Sequence, residues 1–303
     1  CSSWYYLRYP NANTDSAPFD KSLLSWLPVD LYVGGAEHAT MHLLYARFIT
    51  KALRDIGHLD FGEPFKKLIH QGTITKDGTK MSKSKGNTVS PDEFIEQYGS
   101  DTFRAYLMFM GPFEDGGDWN DKGITGISRF LAKVVRVCGR IDKNHTTENS
   151  INKLVHKTIK AVGEDLNQLK FNTAISKLME LSNVLSKVDK LDDFTIKSLI
   201  LLLAPITPHL SEELWSKYSE DGISVFDQQW PQFDASLIVD DEIEIVVQVN
   251  GKLRGNIQIL LDQPKDDILA MARSLDNVSR FISEGNLIKE IYVPNKIVNF
   301  VVK

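Results

Sequence analysis

The chain has 303 residues, of which 42% are hydrophobic, 10% aromatic and 25% charged, proportions that are ordinary for a globular protein. At this length we expect two or three domains, large enough to bury a core without disulfide bonds. The two cysteines, Cys1 and Cys138, exclude a disulfide framework and a four-cysteine zinc site, and they favour a cytoplasmic protein. The longest strongly apolar stretch, 199–206, is far shorter than the roughly 20 residues that cross a membrane, so we expect no membrane partner.

The net charge of −5 argues against a protein that coats nucleic acid with its whole surface, but two local segments are basic. Segment 66–90 carries six lysines against one aspartate, and segment 129–160 carries eight lysines and arginines against two acids. Such islands in an acidic chain predict sites that contact anions. Charge alone leaves open the alternative that both are solvated surfaces.

The first 75 residues have the pattern of mixed α/β structure. A short apolar strand at 30–33 ends at Gly34-Gly35, a helical periodicity follows from 37 to 56, and a second strand is predicted at 65–69. This order predicts two parallel strands joined by a helix. Because ligands of parallel sheets bind beyond the carboxyl ends of the strands, the two glycines lie where we expect a ligand.

A polar loop rich in Gly, Lys, Thr and Ser is predicted at 72–90, and the helix after it begins with a capping box. In that box Ser90 would cap the helix, Pro91 would occupy the first turn, and Glu93 would complete the S-x-x-E pattern. A further helix is expected at 100–110, followed by a loop rich in Gly and Asp.

The rest of the chain predicts a helical bundle and then a small α/β domain. Alternating apolar residues from 242 and an Asn250-Gly251 turn indicate a β-hairpin, with one helix and two strands after it. The predicted bundle helices are 124–142, 150–169, 171–188, 192–203 and 207–218. The fold class is therefore multidomain, with an α/β part, an α part and a small α/β domain.

The pentapeptide Lys80-Met81-Ser82-Lys83-Ser84 carries the most chemical information in the chain. It lies in the polar loop, with two lysines three residues apart and hydroxyl groups beside them. Ammonium groups on a loop that closes over a triphosphate can follow negative charge onto departing pyrophosphate, which stabilises the transition state. Composition alone also fits a solvated lysine-rich loop.

This pentapeptide, followed by Lys85-Gly86-Asn87, resembles the second signature of class I aminoacyl-tRNA synthetases. Other segments narrow the resemblance to leucyl-tRNA synthetases of the bacterial type, and together they cover almost the whole chain. These segments are SSWYYLRY at 2–9, GGAEHATMHLLYARF at 34–48, YGSDTFR at 98–104, APITPH at 204–209, ELW at 213–215 and VVQVNGKLRG at 246–255.

Two features of that family are missing from the sequence. The first signature, H-I-G-H, is absent. The similar tetrapeptide Asp55-Ile56-Gly57-His58 is not this signature, because it lies at a predicted helix end and too few residues before the second signature. No editing domain is found either, and the first residue is Cys1, so we expect a C-terminal piece of such an enzyme. The resemblance implies the C-terminal half of a Rossmann-like catalytic domain at 1–90, a stem-contacting connection at 91–123, a helix-bundle tRNA-binding domain at 124–228 and a small α/β tRNA-binding domain at 240–303.

The resemblance also implies roles for residues around the glycine turn and the polar loop. Lys80 and Lys83 would be catalytic, and His38 and His42 would form the wall of the leucine side-chain pocket. The residues implied in binding ATP or the adenylate are Gly34, Gly35, Glu37, Gln71, Gly72, Met81, Ser82 and Ser84. Without the resemblance, the histidines also fit neutral core residues, and a zinc ion would lack a third ligand nearby, so no protein-bound metal is predicted.

Two groups of cations could contact phosphates, and the resemblance implies that these phosphates belong to tRNA. Four of them are spaced by four, three and four residues along the first bundle helix, which places them in one stripe. Lys252 and Arg254 follow the Asn250-Gly251 turn and would be presented at the hairpin. A solvated helix face and a plain charged hairpin tip are the respective alternatives. The four residues of the stripe are Arg129, Lys133, Arg136 and Arg140.

The resemblance implies that the chain is part of an enzyme that activates leucine with ATP and Mg²⁺, giving leucyl-adenylate and pyrophosphate, and then esterifies tRNA(Leu). We expect the piece to be inactive alone, monomeric and cytoplasmic. Two alternatives stay open at this point. The chain could belong to an isoleucyl- or valyl-tRNA synthetase, or it could act as a non-catalytic tRNA-binding module.

Overall fold

The fold is taken from a computed structural model, in which the structure describes residues 1–219, 222–238, 242–260, 263–294 and 296–303. The chain divides into two compact units, Cys1–Phe233 and Asp234–Lys303. The domain boundaries predicted at 90 and 123 lie inside the first unit and stay predictions. No helix in the five described ranges combines the length and the apolar character that crossing a membrane requires.

The first unit begins with the parallel α/β arrangement that the sequence predicts. Its strands pair in parallel, with Tyr32 opposite Leu68 and Val33 opposite Ile69. The elements are helix α1 (Tyr5–Arg8), strand β1 (Tyr32–Val33), helix α2 (His42–Asp55) and strand β2 (Leu68–Ile69). The strands are shorter than predicted, and an isolated bridge between Val29 and Phe65 extends their pairing.

The helix predicted from 37 to 56 is wrong at its beginning. A 3₁₀ turn covers Ala36–Thr40, and α2 starts only at His42. Met41, with φ −114° and ψ −115°, lies outside the helical region and separates the two. The apolar periodicity of the sequence continues across this break, which is why periodicity alone did not reveal it.

The segment predicted as a polar loop contains a β-hairpin. Strand β3 (Thr73–Lys76) pairs antiparallel with β4 (Thr79–Lys80) and parallel with β5 (Gly116–Trp119). The turn residues Asp77 and Gly78 both have positive φ, 54° and 68°, as a two-residue hairpin turn requires. The loop prediction is therefore wrong over 73–80. The Asp-Gly dipeptide was the local signal for the turn, but the parallel partner β5 lies about 40 residues away.

Two helices, α3 (Pro91–Tyr98) and α4 (Ser100–Phe109), follow the signature segment as predicted. The capping box does not form as expected, because within residues 1–219 the Ser90 side chain makes no capping hydrogen bond to α3. Pro91 does occupy the first turn, and Asp92 and Glu93 lie beside it, where they interact favourably with the helix dipole.

The five bundle helices confirm the helical pattern, with ends within a few residues of the prediction. They are α5 (Ile124–Cys138), α6 (Asn149–Asn167), α7 (Phe171–Leu185), α8 (Asp193–Leu203) and α9 (Pro208–Tyr218). Their apolar faces form the main core of the unit, in which Leu178, Leu181 and Leu199 are fully buried. Cys138 also lies in this core, whereas Cys1 is exposed, and both are free thiols.

The second unit is a four-stranded sheet with two helices. Its strands are β6 (Glu242–Val249), β7 (Lys252–Leu260), β8 (Leu287–Val293) and β9 (Ile297–Val302). The strand order is β7-β6-β9-β8, in which β6 and β9 are parallel and the other pairs are antiparallel. Ile245, Val247 and Val249 are buried on one face, and Asn250 and Gly251 form the predicted turn with φ 50° and 75°. The two helices are α10 (Lys265–Ser274) and α11 (Asp276–Glu284).

Candidate functional site

The carboxyl ends of β1 and β2 lie side by side. The Gly34 amide donates to the Ile69 carbonyl at 3.2 Å, and Nδ1 of His70 is 2.9 Å from the Gly34 carbonyl oxygen. The glycine turn after β1 therefore borders His70-Gln71, which follows β2. This is the edge at which parallel sheets bind their ligands.

Glu37 is exposed, and its carboxylate folds over the glycine turn. A Cβ atom built on Gly35 would lie 2.4 Å from Oε2 of Glu37, so the absence of a side chain at Gly35 lets the carboxylate lie close to the backbone in this position. Because both carboxylate oxygens are hydrogen-bond acceptors, Glu37 can accept bonds from hydroxyl groups of a ligand in this position. The structure thus brings Gly34, Gly35, Glu37 and Gln71 to one edge of the sheet.

His38 and His42 lie close together across the break at Met41, with 5.1 Å between the ring centroids. Nε2 of His42 is 2.6 Å from the Tyr32 hydroxyl, which fixes the orientation of the imidazole ring. Nδ1 of His42 is buried and meets no hydrogen-bond partner among the residues that the structure describes.

Aromatic residues that the sequence analysis left unassigned surround His42. The ring centroid of Tyr32 lies 4.3 Å from that of Phe65 and 5.6 Å from that of His42. The ring centroids of Tyr5 and His42 are 6.1 Å apart. Burial, followed by the hydrogen bond with Tyr32, raises the pKa of Tyr5 far above its usual value, so its hydroxyl stays protonated. Tyr32 lies in the strand just before the glycine turn, and this position in the sequence could have identified it as a residue of the site.

The signature segment extends from the hairpin into a short 3₁₀ turn. Lys80 is the last residue of β4, and Lys83–Lys85 forms the turn, which Ser82 caps by accepting a hydrogen bond from the Lys85 amide. The side chains of Lys80, Lys83 and Ser84 are exposed, whereas Met81 is partly buried against the core of the unit. The loop therefore presents its cations to solvent and anchors itself through Met81.

Gln71 and Gly72 connect the sheet edge to this hairpin. Gly72 donates its amide to the Phe113 carbonyl at 2.8 Å, and a Cβ atom there would lie 1.9 Å from the Gly116 nitrogen. A glycine is required at this position because β5 passes directly against it. Only the three residues 70–72 therefore separate the carboxyl end of β2 from the hairpin that ends in Lys80.

Three of the four predicted helix cations line a groove of about 500 Å³ between α5 and α7. The ammonium group of Lys133 donates to the side chain of Asn183 on the opposite wall. Arg140 departs from the predicted stripe, because α5 ends at Cys138 and the Arg140 guanidinium donates to the Ser186 and Val188 carbonyls at 2.8 and 2.6 Å. The cations in the groove are Arg129, Lys133 and Arg136.

The cations of the second hairpin also differ from the prediction. Lys252 is exposed beside the turn, as expected. Arg254 instead packs its guanidinium over the ring of Phe281 on α11, at 4.0 Å from the ring centroid. A β-bulge between Val247 and Gln248 disturbs the alternation of side chains at this point, which is why the two cations do not share one exposed tip.

Family comparisons match two regions of the chain. Residues 6–120 match the family described as tRNA synthetases class I (I, L, M and V). Residues 148–269 match the family described as the anticodon-binding domain of tRNA ligase.

Among curated proteins, the chain is 46% identical to a leucine–tRNA ligase of Clostridium perfringens and 44% identical to one of Dehalococcoides mccartyi. Each alignment covers 100% of this chain, and 40% and 39% of the respective relatives. The chain therefore spans about two fifths of the length of the curated relatives that it matches.

A solved structure is similar over the same extent. It is the ternary complex of the Agrobacterium radiobacter K84 LeuRS with tRNA and LeuAMS, and its sequence is 34% identical to this chain. The TM-score is 0.82, and the match covers 100% of this chain and 42% of that one.

Proposed function

Because the chain belongs to the leucine–tRNA ligases of the class I tRNA synthetases, we propose that it supplies the signature loop and the tRNA-contacting domains of such an enzyme. The complete enzyme activates leucine with ATP and its Mg²⁺, releases pyrophosphate and transfers the leucyl group to tRNA(Leu). The observation that carries the proposal is the exposed pair Lys80, at the end of a hairpin, and Lys83, in the 3₁₀ turn after it. That hairpin begins three residues beyond the carboxyl end of β2. The relatives named above are leucine–tRNA ligases, which favours leucine over isoleucine or valine.

In this proposal Lys80 and Lys83 act on the leaving phosphates. An ammonium group contributes most where negative charge develops, and in adenylate formation that charge moves onto pyrophosphate. Met81, Ser82 and Ser84 shape the loop around the nucleotide. Because the loop is solvent-exposed, it can close after ATP arrives and exclude water from the reaction.

The sheet edge would hold the other parts of the adenylate. Gly34 and Gly35 allow the ligand to approach the backbone, and the Glu37 carboxylate can accept hydrogen bonds from ribose hydroxyls. Gln71 and Gly72 would lie at the adenosine end. His38 and His42, with the ring of His42 oriented by Tyr32, would form the wall that contacts the leucine side chain.

Leucine-dependent ATP–pyrophosphate exchange tests the catalytic part. The assay uses an enzyme in which this chain is joined to the region that its relatives carry outside the match. Lys80→Ala or Lys83→Ala should each lower kcat about a hundredfold and leave the KM for leucine within about twofold, because the lost interaction belongs to the transition state. The exposed Lys67 provides a matched control, and Lys67→Ala should retain full activity. Full exchange activity in the Lys80 and Lys83 variants would refute these roles.

The groove of α5 and α7 would contact the phosphate backbone of tRNA. Its three cations project from one stretch of helix and can neutralise successive phosphates, whereas Arg140 is occupied by backbone carbonyls. On the second unit, Lys252 would make a further contact, and the packed Arg254 would hold that hairpin in place.

Salt-dependent tRNA binding by the 303-residue chain tests this surface. Arg129→Ala and Arg136→Ala should each reduce the slope of log affinity against log salt concentration by about one. Lys187→Ala, which removes an exposed cation outside the groove, should leave the slope unchanged. Equal slopes for all three variants would show that tRNA does not bind in the groove.

The same assays distinguish catalysis from a purely RNA-binding role. The isolated chain should show negligible pyrophosphate exchange and salt-sensitive tRNA binding. We expect it to be monomeric and cytoplasmic. Exchange that stays absent when the rest of the enzyme is supplied would favour the non-catalytic tRNA-binding module.

A further inference from the structure

The backbone of the signature segment is closed by one side chain that comes after it. Oδ1 of Asn87 accepts a hydrogen bond from the Ser82 amide at 2.9 Å, and Nδ2 of Asn87 donates to the Lys80 carbonyl oxygen at 3.4 Å. Asn87 therefore bridges two backbone groups on the opposite strand of the loop. The chain can return to them because Gly86 has a positive φ of 65°, which favours glycine.

The loop is also fixed on the side that precedes Lys80. Oδ1 of Asp118, on β5, accepts a bond from the Thr75 hydroxyl at 2.6 Å and from the Gly78 amide at 2.9 Å. These two bonds hold the pKa of Asp118 below its usual value, so the carboxylate stays ionised at neutral pH. Asp118 thus holds the turn of the β3–β4 hairpin against the neighbouring parallel strand.

The side chains that would meet the nucleotide play no part in these contacts. Lys80 and Lys83 project into solvent, while Asn87 and Asp118 bind backbone groups and the Thr75 hydroxyl. The backbone of Lys80 is therefore held from both directions, by the hairpin before it and by Asn87 after it. A loop with both ends fixed loses less conformational entropy when it closes on a ligand.

We propose that Asn87 and Asp118 are positioning residues that set the spacing of Lys80 and Lys83 before the nucleotide binds. The proposal rests on the function proposed above for the two lysines. Neither residue touches the reacting atoms, and each acts through the backbone of the loop. Their loss should therefore lower the rate of adenylate formation without changing how leucine is bound.

Hydrogen exchange in the 303-residue chain tests whether Asn87 orders the loop. In Asn87→Ala the Ser82 amide should exchange about tenfold faster, the change expected from the loss of one ordinary hydrogen bond. Asn87→Asp keeps an acceptor oxygen for the Ser82 amide and should exchange more slowly than Asn87→Ala. Asn277→Ala, at an exposed position on α11, is the matched control and should leave the loop unchanged. Equal exchange in Asn87→Ala and the unsubstituted chain would overturn the proposal for Asn87.

The same design applies to Asp118. Asp118→Ala should speed exchange at the Gly78 amide about tenfold, whereas Asp118→Asn should largely restore protection because it keeps the Oδ1 acceptor. Asp60→Ala, at an exposed position outside the hairpin, is the control. If the Gly78 amide exchanges at the same rate in Asp118→Ala and in Asp118→Asn, the role of the Asp118 carboxylate as its acceptor would be overturned.

Pyrophosphate exchange in the completed enzyme distinguishes the positioning role of Asn87 and Asp118 from the catalytic role proposed for Lys80 and Lys83. Asn87→Ala and Asp118→Ala should each lower kcat about tenfold with an unchanged KM for leucine, and Asp118→Asn should recover most of kcat. If Lys80→Ala removes activity while both alanine variants keep a full kcat, the lysine role stands and the positioning role fails. If Lys80→Ala itself is fully active, the proposed function fails and the positioning role falls with it.

Discussion

The first 70 residues and the helical bundle bury their apolar side chains to very different extents. The bundle packs five helices around a continuous core, with Leu178, Leu181 and Leu199 fully buried. The first segment has a small core around Tyr6, Leu7, Ala46 and Leu59. One face of its helix α2 stays open, with apolar side chains that are more than half exposed. These residues are Leu44, Tyr45 and Phe48.

This difference in burial shows that the bundle has a complete apolar core of its own, whereas the first segment has only a small one. Amphipathic helices of a bundle bury each other's apolar stripes, so their stability is largely internal. A two-stranded parallel sheet does not cover its own faces, and parallel sheets are normally buried on both sides. The edge that we propose to hold the adenylate lies in this less covered segment, whereas the groove that we propose to contact tRNA lies in the bundle.

Matched leucine truncations should show the largest contrast between the two regions. Leu199→Ala removes a fully buried side chain of α8 and should lower the free energy of unfolding of the bundle by about 2–5 kcal/mol. Leu44→Ala, at a position that is 54% exposed on α2, should change stability by less than about 0.5 kcal/mol. Native-state hydrogen exchange resolved by helix measures both values. Equal losses at the two positions would contradict the distinction between an internally stable bundle and an open α/β segment.

An intermediate effect is expected at Asp101, which joins α4 to the beginning of α9. Its buried carboxylate accepts bonds from the Leu210 amide at 2.7 Å and from Nδ1 of His209 at 2.9 Å. Asp101→Ala leaves the Leu210 amide without this acceptor and should lower the opening free energy of α9 by about 1–3 kcal/mol.

Asp101→Asn provides the matched control, because an amide oxygen can still accept from Leu210. Hydrogen exchange in the first turn of α9 should be less affected in this variant than in Asp101→Ala. A first turn of α9 that is equally protected in both would mean that Asp101 does not cap this helix.

The smallest effect is expected from an exposed ion-pair cluster in the α/β segment. Glu63 accepts bonds from Arg47 at 2.7 and 2.8 Å and from Lys51 at 2.8 Å, and these bonds lower its pKa to about 2. Because the folded-state pKa is below the unfolded value of about 4.5, the contribution is fully present above pH 4.5 and is lost as the pH falls through 2. All three side chains are about half exposed, so the cluster should contribute only about 0.5 kcal/mol.

Urea unfolding of the native chain and of Glu63→Gln at several pH values measures this contribution. The two stability curves should differ above pH 4.5 and converge as the pH approaches 2. A difference that stays constant over that interval would show that the effect of the substitution does not arise from ionisation of Glu63.

The candidate site was partly accessible from the sequence. The signature pentapeptide located Lys80 and Lys83, and the glycine turn located the edge of the sheet, because both are signals within a few consecutive residues. Asn87 lies within the signature motif, and Asp118 lies in the loop rich in Gly and Asp, but neither position carries a local signal for its contacts. Their roles depend on contacts with backbone groups and one hydroxyl that lie five to 43 residues away, which residue type and spacing do not encode.

The sequence by itself determined the bundle helices and the Asn250-Gly251 turn, because helical periodicity and a two-residue turn are properties of neighbouring residues. Only the tertiary structure decided the break at Met41, the pairing of β3 with β5, and the uses of Arg140 and Arg254. In each of these cases the deciding partner lies on another element, or the backbone departs from a pattern that the side chains still follow. The sequence does not show whether an arginine side chain contacts a phosphate, a carbonyl group or an aromatic ring. The packing of the folded chain decides which of these partners the guanidinium meets.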